Sequence, residues 1–353
     1  MSRRITVPFF IPHHGCPHRC VFCDQTKITG TDGQQIPSPG EIRDTIEAFR
    51  TSSAQPCIDV AFFGGTFTSL PTSLQEKLLG PLQELRSSGA IGTVRVSTRP
   101  DTVDRAAISL LLENGVSIVE LGAQSLDDEV LKRAGRGHPA ADVGVAVRLL
   151  REKGLQVGLQ LMVGLPGDTR VRYLASLQRA LELRPDFLRI YPTLVIAGTQ
   201  LEELYRQGAY EPLTMEQAVD LAGASLRAAY RARVPVIRIG LQPTEELRTG
   251  GSVMAGPYHP AFGQLVRSRL CYDLLASLVH GSASVTVRCA PGRMSDVVGQ
   301  RRSTINRLFT EHGVTATVET DPRLAPLELE VETARGTWRG HIMAGVSGLS
   351  EVA

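Results

Sequence analysis

Six short apolar runs alternate with helix-like segments through the first two-thirds of this chain, and that alternation restricts the fold more than any other feature. The runs fall at 5–11, 58–63, 94–97, 117–121, 156–163 and 187–191 and are rich in β-branched and aromatic residues. The run at 58–63 stops at Gly64-Gly65 and reads as a parallel strand buried on both faces. Helix signals lie between the runs. Ser38 and Glu41 form a capping box with Pro39 at the first turn. Further helices are expected at 71–87, on the spacing Val103, Ala106, Ala107, Leu110, Leu111, as a pair over 127–153, and from Asp168 onward. Serial β–α units predict a parallel sheet joined by right-handed crossovers. Six units rather than eight predict an α/β fold, a partial (β/α)6 TIM-type barrel whose working face is the C-terminal end of its strands.

The first run delivers a dense stretch, His13-His14-Gly15-Cys16-Pro17-His18-Arg19-Cys20-Val21-Phe22-Cys23. Three of the six cysteines stand here with the spacing C-x-x-x-C-x-x-C, while Cys57, Cys271 and Cys289 are scattered. Clustered thiolates are soft ligands suited to zinc or to an iron–sulfur cluster. Structural zinc normally takes four protein ligands, so it would have to borrow His13, His14 or His18. A 4Fe–4S cluster on three thiolates needs no fourth ligand and leaves one iron open. The spacing favours a cluster on Cys16, Cys20 and Cys23 and keeps zinc as the alternative.

With Phe22 just before the last cysteine, this loop resembles that of the radical SAM superfamily. The resemblance implies S-adenosylmethionine bound through its amino and carboxylate groups at the open iron. It also implies one-electron cleavage to a 5′-deoxyadenosyl radical, with an electron donor such as flavodoxin or ferredoxin. In such a site the cofactor supplies the difficult chemistry, and the protein excludes water and positions the substrate.

Other motifs fall at the predicted strand ends. Gly64 and Gly65 let backbone groups approach a ligand closely, although a plain strand-to-helix turn reads the same way. The resemblance assigns them to the amino group of S-adenosylmethionine. Ser97 and Arg99 close the third strand; Glu120 and Gln124 close the fourth and are polar where burial is expected. The resemblance gives this region to the nucleoside. It gives Arg136 to the methionine carboxylate, for which a salt bridge to Asp127 or Asp128 is the alternative. It also gives the loop from Met162 through Gly164 to the adenine. Tyr191 and Arg189, on the sixth strand, are the candidates for the substrate side; Tyr191 reads equally as a core aromatic.

The phrases Ser97-Thr98-Arg99-Pro100-Asp101, Glu120-Leu121-Gly122-Ala123-Gln124-Ser125 and Tyr191-Pro192-Thr193-Leu194-Val195 resemble the core of Elongator-type enzymes, which modify wobble uridine in tRNA. A looser similarity runs to oxygen-independent coproporphyrinogen oxidase. The Elongator type carries an acetyltransferase domain after its core and a longer cysteine loop. Too few residues follow the core here for that domain, so carboxymethyl transfer from acetyl-CoA is not expected. Methylthiolation is not expected either, because there is no second cysteine trio.

A hydrophobic content of 42% and a charged content of 21% describe a globular chain able to bury a core, and no apolar run approaches the ~20 residues of a membrane span. No signal-like apolar stretch follows Met1, and a cytoplasmic protein with reduced thiols is expected. The expected organisation is a core at 1–240, a linker loop and helix at 241–280, a small α+β domain at 281–335 and a flexible tail at 336–353. Seven arginines between positions 223 and 271, against Glu245 and Glu246, form either a solvated face or a track for phosphates. The segment Gly299-Gln300-Arg301-Arg302 between two predicted helices resembles the G-x-x-G loop of a KH domain with its last glycine replaced. The alternative is a cap whose arginines only meet water. The leading substrate is RNA, most specifically a tRNA nucleotide. The runner-up is a porphyrin-type small molecule, and a third reading is a non-catalytic protein that carries haem or senses redox state.

Overall fold

The computed structural model describes residues 5–30, 36–53, 57–249, 251–345 and 350–352. The expectation for residues 1–4 therefore lies outside the described residues, as do 346–349 and 353 of the expected tail. The chain forms two units, Met1–Leu213 with Gln242–Tyr258, and Thr214–Leu241 with His259–Ala353.

In the first unit β1 (Thr6–Phe10) leads through the cysteine loop and α1 (Gln25–Thr29) to α2 (Pro39–Ser53) and β2 (Ile58–Phe63). The alternation continues with α3 (Thr72–Ser87), β3 (Ile91–Thr98), α4 (Arg105–Glu113), β4 (Ile118–Gln124), α5 (Asp128–Arg133), α6 (Ala140–Glu152), β5 (Gln156–Val163), α7 (Arg170–Glu182) and β6 (Phe187–Pro192). These strands pair in parallel and lie side by side in sequence order, the partial TIM-type barrel that the alternation predicts. The capping box is formed: Ser38 N–H donates to Glu41 Oε2 at 2.7 Å and Glu41 N–H to Ser38 Oγ at 3.3 Å.

Burial alternates along the strands and defines their two faces. Val60, Val94, Val96, Val119, Leu121, Leu159, Leu161, Leu188 and Ile190 are wholly buried on the helix-covered face, each contributing about 1.5–3 kcal/mol. The intervening Arg95, Ser97, Gln160, Met162, Arg189 and Tyr191 stay partly open to the lumen. A barrel face lined by polar side chains that water can reach is a place for a ligand rather than a packed core.

After β6 come β7 (Val195–Ile196) and α8 (Gln200–Arg206). The chain then passes through α9 (Met215–Arg231) and β8 (Val236–Ile239) of the second unit, and returns to the first with α10 (Glu245–Thr249) and β9 (Val253–Ala255). β9 pairs antiparallel with β7, and Thr244 Oγ1 donates to Ile28 C=O at 3.4 Å. Much of the expected linker loop is thus built into the first unit. Its Gly, Thr and Ser content conceals a short strand that is held by its partner rather than by propensity.

The second unit continues with α11 (Phe262–Leu278), β10 (Ser284–Cys289), α12 (Met294–Val298), α13 (Ser303–His312), β11 (Thr315–Thr320), β12 (Glu328–Thr333), β13 (Gly336–His341) and β14 (Ser350–Val352). Its sheet has the order β11-β10-β12-β13-β14, with only β10 and β11 parallel, and α11 packs on α9, α12 and α13. This is the small C-terminal α+β domain. The residues expected to be a flexible tail include β13 and β14, which extend this sheet. Arg227 pairs with Asp273 at 2.9 Å, Arg267 with Asp296 at 2.8 Å and Arg269 with Asp273 at 2.8 Å. Those three arginines of the 223–271 run therefore spend their charge inside the unit. Arg301 and Arg302, on the turn between α12 and α13, are exposed, and both have left-handed backbones.

Candidate active site around the cysteine loop

The cysteine loop is seated by hydrogen bonds that require glycine at two crossings. Ile11 N–H extends the β1–β2 pairing to Phe63 C=O at 2.9 Å, and Thr66 N–H donates to His14 C=O at 2.8 Å. A Cβ on Gly65 would stand 2.3 Å from His14 O and 2.6 Å from Ile11 O, and one on Gly15 would stand 2.4 Å from Thr66 O. Only bare backbone lets the cysteine loop and the Gly64-Gly65 turn lie this close. Gln25, which no sequence motif flags, ties them together: its Oε1 accepts from His13 N–H at 2.6 Å and from Gly65 N–H at 2.7 Å.

The far end of the loop is anchored by packing. Val21 and Phe22 are buried with Val130, Ala134, Leu165, Val195, Leu201 and Tyr210, and Cys20, Cys23 and Met162 pack against that cluster. Val21 N–H donates to Ala134 C=O at 3.1 Å and its C=O accepts from Leu201 N–H at 2.7 Å. The sulfurs are thereby set near charged and polar groups. Cys16 Sγ lies 3.3 Å from Thr66 Oγ1, and Cys20 Sγ accepts from Arg136 Nη1 at 3.1 Å. Burial pushes the Cys16 and Cys23 thiols up, and Cys20 pushes both further, while Arg136 acts against the rise. A cavity of about 540 Å³ opens beside the loop, lined by His13, Arg19, Cys20, Cys23, Asp24 and Lys27 together with Gly198, Thr199 and Gln200.

Arg136 is held from three sides. It sits between Gly135 and Gly137, both left-handed, and is 5% exposed. Its Nη2 donates to Gly122 C=O, its own C=O accepts from Arg99 Nη2, and its Nε is buried with no partner. Arg99 in turn grips Asp101 through Nε at 2.9 Å and Nη2 at 2.8 Å. Burial would raise the Asp101 carboxyl, but this guanidinium outweighs it and holds the group below its usual range. The alternative salt bridge of Arg136 is not formed: Asp127 caps α5 and lies 3.6 Å from Arg172, and Asp128 accepts from Ala140 N–H at 2.7 Å.

The remaining candidates divide. Gln124 lies where the β4–β5 register shifts, has a φ of 65°, and keeps a buried Oε1 with no partner. Ser97 Oγ is likewise buried and unpaired. Gly164, at a φ of 80°, accepts from Tyr210 Oη at 2.7 Å through its carbonyl. Tyr210 is a residue that sequence reasoning missed. Glu120 is wholly buried, and its carboxylate is already taken by Arg95, Arg189 and Gln160. Its polarity is answered across the sheet and does not require a ligand. Arg189 lies 4.9 Å over the ring of Phe63 and 5.6 Å over that of Tyr191.

The donor set fits a thiolate-bound cluster. Burial, with the neighbouring thiols adding to it, raises the Cys16 and Cys23 thiols, a guanidinium faces Cys20, and buried thiols give up their protons when a cation binds. Among the described residues no three His, Cys, Asp or Glu side chains already converge as a closed metal site. His13, a possible fourth ligand for zinc, has its Nε2 occupied by Gln25 N–H at 2.9 Å.

A partial barrel that carries a three-cysteine loop at the C-terminal end of its first strand, with unpaired polar groups at the neighbouring ends, defines a cofactor-dependent (β/α)-barrel enzyme. Residues 10–180 match the Radical SAM superfamily and residues 185–271 the Radical_SAM C-terminal domain. The chain belongs to the radical SAM superfamily. It is 31% identical over 232 residues to the tRNA uridine(34) acetyltransferase of Dehalococcoides mccartyi, covering 56% of this chain and 50% of that protein. It is 29% identical over 230 residues to the heme chaperone HemW of Bacillus subtilis, covering 62% of this chain and 57% of that one. The solved archaeal Elp3 of Methanocaldococcus infernus, with an N-terminal deletion, shares the fold with a TM-score of 0.58 at 19% identity, over 95% of this chain and 78% of that one. The chain spans about half the length of the two curated relatives described.

Proposed function

We propose that Cys16, Cys20 and Cys23 hold a 4Fe–4S cluster and that the enzyme uses S-adenosylmethionine to modify an RNA nucleotide, most specifically in tRNA. The bound cluster supplies the electron for reductive cleavage of S-adenosylmethionine. The observation that carries the reading is the contact of Arg136 with Cys20: a buried guanidinium with a spare Nε beside the thiol trio is placed for an amino-acid carboxylate. The bare backbone of Gly64 and Gly65 is assigned to the ammonium group of S-adenosylmethionine, and the unpaired amide oxygen of Gln124 to a ribose hydroxyl. Met162 and the turn at Gly164 supply an apolar wall for the base. Arg99 positions Arg136 rather than facing the ligand. Arg189 and Tyr191 face the substrate side.

The RNA assignment rests on the relatives named as tRNA uridine(34) acetyltransferases. It is supported by Arg301 and Arg302, exposed on the turn between α12 and α13 and suited to phosphates. A flavodoxin or ferredoxin would supply the electron. No described helix is long and apolar enough to cross a membrane. The test is anaerobic reconstitution with dithionite, S-adenosylmethionine and a cellular tRNA pool, followed by mass spectrometry of the nucleosides against a Cys20→Ala control. Formation of 5′-deoxyadenosine with an altered nucleoside is the expected result. 5′-Deoxyadenosine without any altered nucleoside would overturn the RNA reading alone. The match to a heme chaperone favours a second reading, a haem carrier; stoichiometric haem retention without cleavage of S-adenosylmethionine would select it.

A further inference from the structure

The lumen face of the barrel holds a charge cluster that cleavage of S-adenosylmethionine does not call on. Glu120, 0% exposed, accepts from Arg95 Nη1 at 2.7 Å, from Arg189 Nη1 at 2.7 Å and from Gln160 Nε2 at 3.0 Å. Two guanidinium groups thus share one carboxylate, and the trio keeps one positive charge in excess. Asp59, the other acid on β1–β6, stands at the start of β2 and accepts from Thr93 N–H at 2.7 Å.

Arg189 is also oriented. Its Cζ lies 4.9 Å from the centre of the Phe63 ring and 5.6 Å from that of the Tyr191 ring, contacts that hold the guanidinium in place. It spends Nη1 on Glu120 and leaves Nε buried without a partner, as Arg95 does. Ser97, in register with Glu120, adds a buried hydroxyl that also has no partner. An unpaired buried donor is costly unless something arrives to accept from it. A planar guanidinium edge, a spare hydroxyl and uncompensated charge on the half-buried lumen face match an oxyanion.

We propose that this cluster, centred on Arg189, is an oxyanion subsite in the barrel lumen that takes a carboxylate or phosphate group of the substrate. The proposal deepens the reading above and rests on it only for calling the ligand a substrate, since binding an anion there needs no cluster.

The test titrates full-length, ¹⁵N-arginine-labelled protein, with and without reconstituted cluster, with inorganic phosphate, with acetate and with neutral acetamide. The Nε–H resonance missing from Arg189→Lys identifies Arg189. A saturable shift of that resonance with either anion is the expected result; the affinity, read in every variant from the Nε–H resonance of the neighbouring Arg95 (the one missing from Arg95→Lys), should be at least about tenfold weaker in Arg189→Gln and a few-fold weaker in Ser97→Ala. Tighter phosphate binding identifies a phosphoester as the source, and tighter acetate binding a carboxylate. Should Arg189→Gln not fold, Arg189→Lys takes its place, keeping the charge on Glu120 but losing the planar edge. Equal shifts with acetamide, or unchanged anion affinity in the folded Arg189 variant, overturn the proposal. Failure to load a cluster while anions still bind overturns the radical SAM assignment of this site and not the subsite.

Discussion

Nη1 of Arg136 donates to the sulfur of Cys20 at 3.1 Å, joining positions 116 residues apart in sequence. The contact places the only positive charge that hydrogen-bonds a thiol of the trio, among the described residues, on a turn whose own carbonyl is gripped by Arg99. The cysteine loop and the turn after α5 are therefore one structural unit, linked again by Val21 N–H on Ala134 C=O.

Arg136→Gln should separate cofactor binding from cluster assembly. In the proposed cluster the iron would be held by the three thiolates and not by Arg136, so iron content after reconstitution should match wild type. On the proposed assignment the carboxylate of S-adenosylmethionine would lose a charge-assisted partner of about 1.5–3 kcal/mol, a rise in Kd on the order of 10- to 100-fold. Equilibrium binding beside iron analysis checks both halves. Loss of iron with unchanged residual affinity would reverse the assignment.

Gly65→Ala should disturb the cysteine loop far more than a glycine change elsewhere. The new Cβ would meet two backbone carbonyls, at 2.3 and 2.6 Å, neither of which can swing away. Gly89 has a comparable φ of 75° but nothing within 4 Å, so Gly89→Ala incurs only the left-handed backbone cost of about 1–2 kcal/mol. Thermal melts of the two variants, with cluster loading measured on each, should show Gly65→Ala both less stable and poorly loaded.

The strand ladder was legible because β-branched and aromatic residues concentrate in short runs such as 58–63 and 156–163, set between helix signals. The excursion through 242–258 was not, because β9 is three residues of unexceptional composition held by β7. Glu120 shows why polarity alone misleads. A carboxylate in a strand reads as waiting for a ligand, and its partners Arg95, Gln160 and Arg189 sit on three other strands that only the sheet order brings alongside. Gln25 carried no signal at all. An amide at the start of a short helix is ordinary until two loops are seen to close on its oxygen.

Glu120→Leu should be among the most damaging single changes in the barrel. It removes the shared acceptor and strands two guanidinium groups in a site where the carboxylate itself was 0% exposed. Breaking a buried pair from one side costs about 3–5 kcal/mol. Glu120→Gln keeps one acceptor oxygen and should cost less. Urea unfolding midpoints for wild type and both variants give the ranking; a Leu variant as stable as Gln would show that the arginines find other partners.

Asp168 sets a pH dependence of opposite sign to that of the acids held low by arginine. Burial, with Asp127 adding to it, raises this carboxyl to about 6. The unfolded chain has the ordinary value near ~3.9, so between roughly 4 and 6 the folded state binds more protons than the unfolded one. The contribution of Asp168 to stability is therefore full below that window and falls as pH rises through it, because ionisation must occur in a partly buried place. The buried Tyr210, whose phenol Asp168 helps push up, stays protonated throughout and continues to donate to Gly164 C=O. Asp168→Asn removes the titration without removing the side-chain amide's capacity to accept from Thr169 N–H, which the carboxylate does at 2.9 Å. Melting temperatures measured from pH 4 to pH 7 should decline less in the Asn variant than in wild type. A steeper decline would mean that the carboxylate is stabilised in the folded state and that its environment favours the charge.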